Sequence, residues 1–485
     1  MSKLKLVVSY VFFIFSMALF AQKNSTTIYQ PAEMQSDFDY LNTSLQLNHP
    51  GFYRYTNAKE WQALFEKTKS QLTEPLSDIA FRMILRNYIA HVKCGHTQIF
   101  PSVKTQKLFA KKKHFFPPFR VIFTDSKILV TKNESNDSDL VCGSQILSIN
   151  NHSSAEIIDK IEEVQNADAG LNSMKNYYGA SQFQSFYVAF FGEDSIYNVT
   201  LLSLKNDTLK LSLQEEKEEN NTKAKPTAKT PRNQSVLLNQ EFASFRICKG
   251  DTQTAIMKIK GFQLSNANKF FERAFTQIEQ NDVKYLIVDL RGNGGGSIGQ
   301  ATEMLKYLSK DTFSYSFIRG KQGLTYRKYA KQKFTYYLTR FSLGLISAKT
   351  ETENTYQYQF TITQKEMSSL PRFTGAIFCL VDNGSFSAAS FEAAYLKHKA
   401  NAIVIGQETA GTESGCFAVN TPFLELPKTG NFVRIPHYKF QHHLPVADSE
   451  RGVLPSIETT ITSQTINSKN DEDLDLIWNL IFEKN

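Results

Sequence analysis

Two runs constrain the fold of this chain more than anything else in it. Tyr285–Leu290 reads YLIVDL and Ala376–Val381 reads AIFCLV. Neither run alternates apolar with polar residues, so both predict strands buried on two faces. Each leads through a turn into a helical pattern. Arg291–Ser297 (RGNGGGS) precedes Ile298–Leu308, and Asp382-Asn383-Gly384 precedes Ala388–His398. Thr254–Ile259 reads as a further strand, Asn266–Gln280 as a helix and Ala402–Ile405 as a strand. Strands alternating with helices predict a mostly parallel, helix-covered sheet, an α/β core across residues 239–485. Within it, 320–370 is aromatic and polar without a clear period and reads as a lid or a substrate-facing insertion.

The chain has 485 residues, long enough for several domains. Residues 22–110 read as helical, with Leu76–Ile89 amphipathic and His96–Phe100 alternating like a short strand. Residues 115–205 read as a small β-rich domain. Residues 206–238 read as a linker, because 214–234 is polar and charged throughout. The whole is therefore α+β, with an α/β core. At the start, Lys3 and Lys5 precede the apolar run Leu6–Phe20, followed by Ala21. Residues 1–21 read as a secretory signal peptide, which predicts an exported, periplasmic or extracellular protein without a membrane span after cleavage. Oligomeric state is not legible.

The net charge of +8 is scattered, with one tight run at Lys111-Lys112-Lys113. No stripe or motif suggests nucleic acid as a partner. Five cysteines, Cys94, Cys142, Cys248, Cys379 and Cys416, lack C-x-x-C spacing and predict neither a disulfide framework nor a metal cluster. Cys142, Cys248 and Cys379 lie in apolar contexts and read as buried thiols. Pairing of Cys94 with Cys416 stays open.

Ser387 falls on the turn between a buried strand and a helix start. There the Oγ is exposed, and the N–H of Ala388 joins the helix dipole in favouring a developing negative charge. On this stretch alone, Ser385 or Ser387 reads equally as a helix N-cap. The Gly-rich turn spells G-x-G-x-x-G over Gly294, Gly296 and Gly299. That is the dinucleotide fingerprint, but the first Gly lies four residues past the strand and Arg319 stands where an acidic residue should follow. The alternatives are a plain Gly-rich turn, and one in which Gly294-Gly295 bares N–H groups toward an acyl oxyanion.

Three stretches, YLIVDLRGNGGG, LVDNGSFSAASFEAA and AIVIGQETAG, together with Cys94-Gly95-His96-Thr97, resemble in order the C-terminal processing peptidases, the tail-specific and tricorn-like serine proteases. Leu140–Asn151 (LVCGSQILSINN) resembles the middle of a PDZ domain, with Ser144 where that family has Asp. The resemblance implies an exported serine endopeptidase acting on protein tails or peptides. Its nucleophile falls on Ser387 and its oxyanion donors on Ala388 and Gly295. The Ser-Lys branch puts a lysine at the position of Thr412, and no lysine lies between Lys399 and Lys428. The Ser-His-Glu branch puts its base on His96 and its carboxylate on Glu450, before Gly452-Val453-Leu454-Pro455. His437, His442 and His443 compete as the base. A histidine base predicts activity rising through about pH 6–7. The chemistry requires no metal and no organic cofactor. The alternative function is a catalytically silent peptide-binding protein on the same fold.

Overall fold

The computed structural model describes residues 27–215, 234–248, 253–363, 366–367, 370–447, 450–468 and 470–482. The signal-peptide segment and most of the expected linker lie outside them. The core is a seven-stranded sheet in the order Gln234–Asn239, Ala243–Cys248, Thr254–Ile259, Tyr285–Asp289, Ala376–Val381, Ile403–Gly406, Ile457–Glu458. The first two pairings are antiparallel and the other four parallel. Burial on both faces explains the apolar run AIFCLV. Ile377, Cys379 and Val381 join the core of Phe271, Met304 and Phe391, from the helices Ala267–Gln280, Ile298–Leu308 and Ala388–Lys399. Phe378 and Leu380 face Ile477 and Ile481 of the last helix, Glu472–Phe482. Arg291 fixes the start of that helix, bonding Asp289 at 3.1 Å, Asp471 at 2.7 Å and Asp473 at 3.0 Å.

The stretch 320–370 holds regular structure that the sequence did not disclose. Thr355–Ile362 and Ala348–Glu351 belong to a five-stranded sheet with Phe313–Gly320, Tyr438–His442 and Gly415–Ala418. The helix Lys333–Ile346 buries Tyr336 and Leu343 but exposes Phe334, Leu338, Phe341 and Leu345.

Three N-terminal helices, Pro31–Asn48, Ala58–Lys69 and Asp78–Ala90, pack around Phe38, Trp61, Phe81 and Tyr88. Two of the ties that join them to the rest of the chain stand out. The buried Asp37 carboxylate accepts hydrogen bonds from the N–H groups of Lys428 and Thr429, both at 2.8 Å. The strand Gln98–Phe100 pairs antiparallel with Phe432–Arg434, which pairs with Phe423–Glu425. A separate antiparallel sheet runs Phe119–Thr124, Lys127–Asn133, Gln145–Ile149, Tyr197–Leu202, Thr208–Leu213. It continues past residue 205, and Gln234–Asn239 is a strand of the core. Regular structure therefore occupies both ends of the expected linker.

All five cysteines are free thiols. Cys248 and Cys379 are buried, whereas Cys142 is half-exposed, its Sγ donating to the Thr131 carbonyl at 3.3 Å. No helix among the described residues is long and apolar enough to cross a membrane.

One buried group opposes the fold. Glu392, on the helix Ala388–Lys399, is fully buried and neither carboxylate oxygen has a hydrogen-bond partner. Burial drives its pKa well up. The folded state then holds a proton that the unfolded state gives up near pH 4.5, so this contribution to stability is present below that pH and lost as pH rises. Glu392→Met is expected to stabilise the protein by about 1–3 kcal/mol at neutral pH. Thermal melts at acid and neutral pH check this: the gain should shrink in acid.

Candidate active site

The turn between Val381 and Ala388 is held from below. Asp382 Oδ1 accepts from the N–H groups of Gly292 at 2.8 Å and Gly384 at 3.0 Å. Ser385 Oγ donates to the Leu290 carbonyl at 2.9 Å. Ser390 Oγ donates to the Ser385 carbonyl at 2.9 Å and accepts from Gly411 N–H at 3.1 Å. Ser385 and Ser390 are therefore buried pins of the turn.

Ser387 is different. It sits at the N-cap position without making a capping bond, at φ 58° and ψ −115°. A non-glycine residue pays strain for such a backbone, and strain of this kind concentrates at functional sites. Its Oγ lies 3.1 Å from His96 Nε2, across 291 residues of sequence. Ala388 opens the helix, so its N–H has no partner within it.

The Gly-rich turn lies directly against the serine. Asn293 is fully buried and locks the two together. Its carbonyl accepts from Phe386 N–H at 2.9 Å, and its Nδ2 donates to the Ile259 carbonyl at 3.0 Å. Gly295 adopts φ +101°, and a Cβ there would stand 2.7 Å from Ser387 Cβ, 2.8 Å from Phe386 O and 3.0 Å from Ala388 N. The Gly295 N–H, expected as an oxyanion donor, instead donates to Asn293 Oδ1 at 2.8 Å. What Gly295 supplies in this arrangement is close approach, since any side chain would collide with the serine.

His96 is 6% exposed. Its ring lies 4.5 Å from that of Phe386, and its carbonyl accepts from Arg434 Nε at 2.9 Å. Burial, with Arg434 and His49 adding, pushes its pKa down to about 3; the Phe417 carbonyl pulls weakly the other way. Nδ1 nevertheless makes no hydrogen bond of regular geometry. The competing histidines are engaged elsewhere. His437 Nε2 is 2.8 Å from Tyr326 Oη, His443 bonds Ser314 and Ser316, and His442 packs among Phe391, Tyr395 and Phe440.

No hydrogen bond joins Glu450 to His96 among the described residues; Glu450 is exposed, and its charge reaches Tyr55. The carboxylate grouped with His96 is Asp168, which no motif flagged. Asp168 Oδ1 accepts from Gly95 N–H at 2.8 Å, one residue from the imidazole. Burial pushes its pKa up to about 7. Asp168 begins a short turn in which Ala169 adopts φ 53° and donates its N–H to the Lys93 carbonyl at 3.1 Å. No lysine replaces the histidine: Thr412 occupies the Ser-Lys position, and its hydroxyl bonds the Gly415 carbonyl.

Residues 253–459 match the model of Peptidase family S41. None of the curated proteins matches the sequence. Among solved structures, mature CPAF superposes with a TM-score of 0.63 at 14% identity, over 93% of this chain and 98% of that one. Mature CPAF complexed with lactacystin gives the same score and identity, over 93% and 99%. At such identity the likeness is one of fold. The matched residues hold five of the seven core strands and the serine turn, and they mark the chain as a serine peptidase whose core is similar to that of family S41.

Proposed function

We propose that the chain hydrolyses peptide bonds through an acyl-enzyme on Ser387, with His96 as general base. The observation that carries this is the 3.1 Å contact between Ser387 Oγ and His96 Nε2, made by a strained serine at a helix start. His96 takes the hydroxyl proton as Oγ attacks the scissile carbonyl and returns it to the leaving amine. The Ala388 N–H and the helix dipole stabilise the oxyanion. Gly295 lets the Gly-rich turn lie against the nucleophile. Glu450 has no part in this proposal, since it is exposed and its charge acts on Tyr55.

The finer reading is an exported enzyme acting on protein tails. Export rests on the apolar run Leu6–Phe20 alone. Tail recognition rests on the β-rich unit that precedes the core, whose sheet edge suits strand addition by an extended peptide.

A fluorophosphonate probe tests the chemistry. Labelling should occur on the wild type and Ser385→Ala, and vanish in Ser387→Ala. Labelling that survives Ser387→Ala would assign the nucleophile elsewhere, and no labelling of a folded wild type would favour a silent peptide-binding protein. Equal cleavage of one peptide with a free and an amidated C-terminus would remove tail recognition while leaving the peptidase.

A further inference from the structure

Beside His96 lie groups that the reaction above does not use. Cys94, His96 and Asp168 are all buried, at 0%, 6% and 3% exposure. One donor atom from each, a thiol sulfur, a ring nitrogen and a carboxylate oxygen, lies within 4.8 Å of the other two. Asp168 Oδ2 is buried without a hydrogen-bond partner, and His96 Nδ1 makes no bond of regular geometry, although the Phe417 carbonyl acts weakly on the ring. Cys94 Sγ lies 3.6 Å from the Phe417 carbonyl, with the Thr97 hydroxyl and the N–H groups of His96 and Thr97 also beside it. Buried polar atoms are rarely left unpaired, and each unpaired group calls for an explanation. Burial raises the pKa of Cys416, and it is close enough for Asp168 and Cys94 to add to the rise. Asp168 and Cys416 also line a cavity with Tyr55, Lys93 and Lys439, which gives the cluster a way in.

We propose that Cys94, His96 and Asp168 form an inhibitory site for a zinc-class divalent ion. Thiolate, imidazole and carboxylate together select a borderline-soft metal over magnesium or calcium. Bonds of about 2.0–2.3 Å place tetrahedral donors roughly 3.5 Å apart, so the cluster closes on an ion by shifts of about an ångström. The fourth position falls to Cys416 or a water. On binding, the Cys94 thiol gives its proton to solvent and Asp168 binds as carboxylate. The Nδ1 lone pair goes to the metal, which leaves the ring proton on Nε2. Nε2 then donates toward Ser387 Oγ and has no lone pair to accept its proton, so the base is lost without the serine being touched.

The inhibition rests on the reading of His96 as base, whereas metal binding does not, and the two are measured apart. Cobalt(II) titrated into the full chain carrying Ser387→Ala should give a thiolate-to-cobalt charge-transfer band, lost on adding Cys94→Ala. Zinc should inhibit the wild-type peptidase, and a chelator should restore it. Cys94→Ala should stay active and need at least tenfold more zinc. Asp168→Asn, which keeps an acceptor for Gly95, should weaken cobalt binding at least tenfold and covers the case in which Cys94→Ala does not fold. A plain Nδ1–H to Oδ2 hydrogen bond would also account for both atoms, but it excludes Cys94. No cobalt band, or equal zinc sensitivity in Cys94→Ala, overturns the site. A cobalt band with zinc-insensitive peptidase activity overturns the inhibition and tells against His96 as base. A wild type that neither cleaves peptides nor takes the fluorophosphonate overturns the peptidase reading alone.

Discussion

Replacing His96 with alanine is expected to lower kcat/KM by at least about a thousandfold, the scale on which loss of a nucleophile's base is felt. The fold should survive, since the residue's backbone carbonyl, not its ring, receives the bond from Arg434. The pH profile carries a second expectation, which differs from that of a free histidine. Neutral imidazole is the active form, so kcat/KM falls as pH drops through the folded-state pKa. Burial, Arg434 and His49 push that pKa down to about 3, while Asp168 and Cys94, grouped with the His96 ring, are themselves driven toward their neutral forms. In chelator-treated protein, kcat/KM should therefore stay level from about pH 8 to about pH 5, below the range expected for an unperturbed imidazole. Initial rates on one peptide across that range check it. An acid limb centred near pH 6.5 would mean that His96 is solvated in the working enzyme.

Gly295→Ala should cost about a hundredfold in kcat, the scale of an ångström's misplacement of reacting groups. The new methyl would meet Ser387 Cβ at 2.7 Å and Phe386 O at 2.8 Å, at a φ that L-residues avoid. The collision is with the backbone and Cβ of the nucleophile turn, so the turn must move. Gly294→Ala is the control. There the nearest atom to the new methyl is Tyr178 Oη at 3.6 Å, an ordinary contact, and kcat should stay within about tenfold. Similar losses in both variants would mean that the Gly-rich turn tolerates no side chain anywhere, and the specific approach of Gly295 to Ser387 would lose its importance.

The elements that were legible in the sequence share one physical cause. Tyr285–Asp289 and Ala376–Val381 are buried on both faces, so their apolar runs survive without alternation. The helix Lys333–Ile346 failed that test from the other direction. Its apolar residues Phe334, Leu338, Phe341 and Leu345 recur at helical spacing but face solvent, among aromatic neighbours that blur the period. Ser387 was legible as a turn serine, but its place beside His96 came only through resemblance, because nothing local links residues 291 apart. Glu450 was read from a turn motif, which fixes a backbone and not the reach of a carboxylate. Asp168 carried no signal at all. A single acid in the run Ala167-Asp168-Ala169-Gly170 looks like a surface turn, and only its burial and its bond to Gly95 set it apart.

The pairing of Gln98–Phe100 with Phe432–Arg434 has a consequence in time. A chain is made from its N-terminus, and early segments fold as they emerge. His96 follows the helix Asp78–Ala90 and is made long before Phe432–Arg434, the strand that holds the residues after it. A nascent chain that has passed Ser387 but not Arg434 owns both members of the proposed relay but lacks the strand pairing and the Arg434 bond that help to hold them together. The geometry of the proposed relay thus depends on a segment that is made after both of its members.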